Sequence, residues 1–78
     1  MRDKIPREEI DKWLTKMKKE LKNIKAINKK GKEFLNNINA YVYDCEYFLK
    51  NGDYVLSFEA VIWSWSLLTI GKDLGILK

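Results

Sequence analysis

Residues 43–60 read YDCEYFLKNGDYVLSFEA, and this stretch decides the fold. Its first half ends an amphipathic helical pattern. Gly52 suits the left-handed residue that closes a helix, because it carries no Cβ to clash. Asp53 follows at once and can accept hydrogen bonds from the first free N–H groups of a new helix. Tyr54 onward is a second, unusually apolar helical pattern. So short a connection makes the two helices antiparallel neighbours.

Upstream, the hairpin's first arm is predicted over 33–51. Its apolar face is Phe34, Leu35, Ile38, Tyr41, Val42, Cys45, Phe48 and Leu49. Downstream, the second arm is predicted over 54–74, with Gly75 as its C-terminal cap. At 100° per residue, Ser57, Ala60, Ser64 and Gly71 fall in one stripe of small side chains, which lets helix axes approach closely. Tyr54, Phe58, Ile62 and Trp65 flank that stripe on one side, and Leu56, Trp63, Leu67 and Ile70 on the other. Only a narrow strip with Glu59, Ser66 and Asp73 suits water. A helix apolar almost all round is normally buried on several sides.

Further upstream, a third helix is predicted over 6–28, since proline suits a first helical turn. Ile10, Trp13, Leu14, Met17, Leu21, Ile24 and Ile27 recur at steps of three and four. Acidic residues open this helix and lysines close it, which complements the macrodipole. Residues 28–32, with Gly31, read as a polar turn that ends it. The expected architecture is all-α: a single up-down-up three-helix bundle, one domain over 1–78.

Composition narrows the chemistry. The chain has 78 residues, one cysteine and no histidine. An internal disulfide is ruled out, as are Ser-His-Asp and Cys-His arrangements and His-bearing zinc sites. Four scattered glycines form no phosphate-cradling loop. Asp44, Glu46, Asp53 and Glu59 gather around the hairpin, but capping and polar faces explain them better than a Mg²⁺ site does. Cys45 lies on an apolar face and reads as a small hydrophobe. The expectation is no enzyme, no cofactor and no metal.

The charged N-terminus does not look like a signal peptide. The uncharged run between Glu59 and Lys72 is shorter than the roughly 20 residues a bilayer span needs. A soluble cytoplasmic protein is therefore expected, with no membrane association.

Charge is unevenly placed. Residues 1–33 hold 12 Lys and Arg against 6 Asp and Glu, a net of +6. Residues 34–78 hold 3 against 5, a net of −2. Lys12, Lys16, Lys19 and Lys22 are the candidate phosphate contacts. Base readout favours Arg, Asn and Gln, and this chain has only Arg2 and Arg7 as arginines.

Tyr43-Asp44, Phe48-Leu49, Gly52-Asp53, Phe58-Glu59-Ala60, Trp65 and Gly71-x-x-Leu74-Gly75 together resemble the archaeal domain-of-unknown-function family 357. The resemblance covers roughly Tyr41 to Leu77. It implies a short three-helix bundle and an archaeal source, and no reaction. The family often has alanine where this chain has Cys45 and Ser57, and Asp-Ala where this chain has Thr69-Ile70.

The reading from sequence is a non-enzymatic helical interaction module. It is expected to self-associate as a homodimer or to bind a protein partner. Trp63 and Ile70 are expected at the centre of the contact. Leu67, Trp65 and Phe58 are expected around them, with Tyr43 and Tyr47 as a second patch. The alternative is a nucleic-acid-binding accessory protein that uses the lysine-rich first helix.

Overall fold

The computed structural model describes residues 5–78. It holds α1 (Arg7–Leu21), α2 (Lys29–Lys50) and α3 (Tyr54–Asp73), and no strand among the described residues. The expected three-helix bundle is observed. α3 is its central element and packs against both other helices.

The small-residue stripe explains that position. Ser57, Ala60, Ser64 and Gly71 are all buried, together with Val61 and Leu68. They face Ile38, Val42, Cys45 and Leu49 of α2 and Ile10, Leu14 and Met17 of α1. Both buried serines are satisfied. Ser57 Oγ donates to the Cys45 carbonyl at 2.7 Å, and Ser64 Oγ to the Val61 carbonyl at 2.6 Å. Small polar side chains thus allow close packing without an orphaned hydroxyl.

The hairpin closes as its sequence implies. Gly52 has φ +79°, its N–H bonds the Leu49 carbonyl, and the Asp53 N–H bonds the Phe48 carbonyl. This pair of bonds is a Schellman motif. Asp53 also accepts a hydrogen bond from the Leu56 N–H at 3.2 Å. One residue therefore closes α2 and caps α3. Gly75, at φ +74°, closes α3 with the same pair of bonds, from Gly75 to Lys72 and from Ile76 to Gly71.

The first connection differs from the expectation. α1 ends at Leu21, not near 28, and α2 begins at Lys29, not 33. Ile24 and Ile27 do not continue the helical stripe. Residues 25–27 instead run extended against 76–78. The Lys25 and Lys78 backbones exchange hydrogen bonds at 2.9 and 2.8 Å, the Ile27 N–H bonds the Ile76 carbonyl at 2.9 Å, and Ala26 bridges Leu77. This long-range pairing outweighs the local helical preference. Asn28 then caps α2 by accepting from the Gly31 N–H at 2.9 Å.

Gly31 is therefore not a helix terminator. It lies in the first turn of α2, and a Cβ there would overlap the Ile76 carbonyl oxygen. Gly71 is equally constrained, since a Cβ would overlap the Leu77 side chain. The C-terminal segment is seated through these two glycines, with Leu77 buried in the core.

Candidate interaction surface

α3 has more apolar surface than its two neighbours cover. α2 takes one flank of the small-residue stripe, and α1 packs near Trp65 on the other. The outer face is left open. On it Trp63 is 56% exposed, Ile70 45% and Ile62 39%, with Val55, Leu56 and Leu74 also exposed. Scattered exposed apolar residues are ordinary, but a contiguous set on one helix is not.

The seven residues expected at an interface fall into three groups. Trp63 and Ile70 lie on the outer face, with Leu67 half-buried at its edge toward α2. The Trp63 ring stacks on Tyr41 of α2, centroids 6.3 Å apart, so one side is held and the other is free. Trp65 and Phe58 are half-buried and packed against the core. Trp65 meets Trp13 of α1 edge-on at 5.9 Å and donates its indole N–H to the Trp13 carbonyl at 3.2 Å. Much of Trp65 and Phe58 is thus used within the chain. One edge of Trp65 still lines a depression of about 390 Å³ with Ile62, Ser66, Thr69 and Ile70. Tyr43 and Tyr47 are 68% and 54% exposed on the outer face of α2, beside Glu46 and Lys50.

The four candidate phosphate contacts lie on the solvent side of α1 and at its C-cap. Carboxylates interleave with them. Lys12 pairs with Glu9 at 3.6 Å. The ammonium groups of Lys12 and Lys16 also sit over the Trp13 ring, at 5.4 and 5.1 Å from its centroid. Lys19 and Lys22 are exposed.

The hairpin carboxylates do not converge. Asp53 is a cap, Glu46 pairs with Lys18 of α1, and no cluster of three metal-ligating side chains occurs among the described residues. Cys45 is fully buried, with its sulfur 3.4 Å from Ser57 Oγ. Burial pushes its thiol above the ordinary value, and the Ser57 hydrogen bond only partly opposes this. Such a thiol is a poor nucleophile near neutrality. A depression of about 590 Å³ lies between Ile5–Arg7 and Gly52–Val55.

By length and composition alone, α3 is apolar enough to cross a membrane. In this fold its small-residue stripe is spent against α1 and α2. Glu59 and Asp73, expected with Ser66 on a water-facing strip, are exposed, and most of their helical neighbours three and four positions away are apolar.

Fold and surface together define a small histidine-free three-helix module with its central helix exposed on one side. More specifically, the chain belongs to DUF357, a family of proteins of unknown function, whose family model matches residues 12–77. It is similar to protein AF1782 from Archaeoglobus fulgidus, also of DUF357, known from a crystal structure. Identity is 40% and the TM-score 0.84, over 92% of this chain and 90% of that one. No curated protein matches the chain.

Proposed function

We propose that this protein is a non-enzymatic helical interaction module of the cytoplasm, which docks a protein through the outer face of α3. One observation carries the reading. Ile62, Trp63 and Ile70 stand exposed on a helix whose opposite side is already fully used for the core. Removing such a patch from water on binding is favourable at roughly 25 cal/mol per Å² before the costs of association.

Capture from native lysate, at low and high salt, tests this with wild type and an Ile62→Asp/Ile70→Asp variant. Light scattering across a dilution series runs beside it. The expected result is a captured protein that is retained at high salt, though held less tightly, and is lost in the variant. Capture of nucleic acid alone, released by salt and indifferent to the variant, would overturn the reading.

That second result belongs to the alternative, a nucleic-acid grip by α1. Its support is the exposed lysines of that helix. Against it stand the Glu9 pairing of Lys12 and the contact of Lys12 and Lys16 with Trp13. Binding by lysine charge alone would be weak and salt-sensitive.

A further inference from the structure

Glu59 and Asp73 are exposed carboxylates set within the apolar outer face of α3. Residues three and four positions apart share a helix surface. For Glu59 these are Val55, Leu56, Ile62 and Trp63, and for Asp73 they are Thr69 and Ile70. Neither carboxylate forms an ion pair among the described residues, whose pairs are Arg7–Asp11, Lys12–Glu9, Lys18–Glu46, Lys30–Glu33 and Lys72–Glu20. Lys72, next to Asp73 in sequence, reaches Glu20 of α1 at 3.3 Å. Asp73 also occupies the last turn of α3, where the macrodipole disfavours negative charge. Neither an ion pair nor the helix dipole accounts for these two carboxylates.

The two carboxylates lie on the same side of α3, about 21 Å apart along its axis at 1.5 Å per residue. This spacing bears on what can cover the face. An antiparallel two-fold contact centred on Ser66 would set Ile62 against Ile70 of the second copy, a good apolar match. It would also set Glu59 against Asp73 of the second copy at both ends. A parallel contact would set each carboxylate against its own counterpart. The only basic residue of α3 is Lys72, already turned to Glu20. Like charges brought together beside a drying apolar patch repel more strongly than in water.

We infer that this face takes a different protein: a basic amphipathic helix whose apolar stripe is flanked by lysine or arginine about 21 Å apart. The inference rests on the reading of α3 as the contact face. The depression between Ile62 and Ile70 receives an apolar anchor, and Glu59 and Asp73 each take a cation. The chain's positive excess lies mainly at residues 22–33, in the connection after α1 and the first turn of α2, so the attraction is local to α3.

The test uses the full chain and two synthetic helices of roughly 18 residues, identical in apolar stripe but flanked by Lys in one and Glu in the other. Binding is followed through the NMR signals of Ile62 and Ile70. Light scattering on the protein alone reports self-association. The Lys-flanked helix is expected to bind at least about tenfold more tightly, to shift both signals and to weaken with salt. A Glu59→Lys/Asp73→Lys variant, whose fold is checked by circular dichroism, is expected to reverse the preference. A Glu59→Lys variant is expected to dimerise, since it replaces repulsion at both ends of the two-fold contact with attraction.

Equal binding of the two helices, or no change on charge reversal, would overturn the inference. A wild-type dimer protected at Ile62 and Ile70, with no peptide preference, would overturn it too while leaving the contact-face reading intact. A monomer whose α3 signals respond to neither helix would remove both.

Discussion

The Ser57 hydroxyl donates to the Cys45 carbonyl at 2.7 Å, joining α2 and α3 where their axes come close. The Cys45 sulfur lies 3.4 Å from Ser57 Oγ. Both residues are fully buried. Ser57→Ala keeps the small volume and removes the bond, so a loss of about 1 kcal/mol is expected. Ser57→Leu overpacks the stripe and should cost about 1–3 kcal/mol. Urea denaturation distinguishes them. A leucine variant as stable as the alanine one would mean that the helices can separate there at no cost.

Gly31→Ala should destabilise the protein although alanine is the better helix former. The added methyl would meet the Ile76 carbonyl, so the paired segments 25–27 and 76–78 must part. Hydrogen exchange at the Lys25, Ile27 and Lys78 amides should rise in step with the lost stability. Unchanged protection there would contradict the seating of the C-terminal segment.

Gly52→Val places a β-branched residue at φ +79° and should cost about 1–2 kcal/mol. Asp53→Ala removes the acceptor for the Leu56 N–H and should cost about 1 kcal/mol. Thermal melts at neutral pH provide the check. Asp53→Asn, which retains an acceptor, should stay close to wild type, and its falling as far as alanine would point away from capping.

Stability at alkaline pH should carry a contribution from Cys45. Burial raises its thiol pKa in the folded chain above the ordinary 9.0. Above that value the unfolded chain loses a proton that the folded chain keeps, so stability falls as pH rises. The contribution is full below 9.0 and is lost as pH climbs through the folded value. Wild type should therefore lose more stability than Cys45→Ala between about pH 8 and pH 10, measured as the difference between their unfolding curves. Parallel curves would show that the thiol does not titrate differently on folding.

The hairpin and the buried face of α3 were legible in the residues alone. Gly52, Asp53 and Gly75 act within one or two turns of themselves, so their chemistry is local. The stripe Ser57, Ala60, Ser64 and Gly71 repeats at helical spacing, so its burial follows from periodicity. The end of α1 was not legible. Ile24 and Ile27 continue a helical pattern, yet the backbone at Lys25 and Ile27 pairs with Lys78 and Ile76, some fifty positions away. Gly31 reads locally as a stop, but its role is to admit Ile76.

The surface divides in the same way. Composition showed that α3 is more apolar than two partners can cover. Which side stays open depended on where α1 crosses it. Trp65 is half-buried because α1 meets it at Trp13, whereas Trp63 and Ile70 stand exposed on the outer face, where Trp63 is held on one side only, by Tyr41. Local residue chemistry determined the turns, the caps and the helical faces. Only the tertiary structure decided where α1 stops and which apolar flank meets water, because both depend on contacts between distant segments that no local pattern encodes.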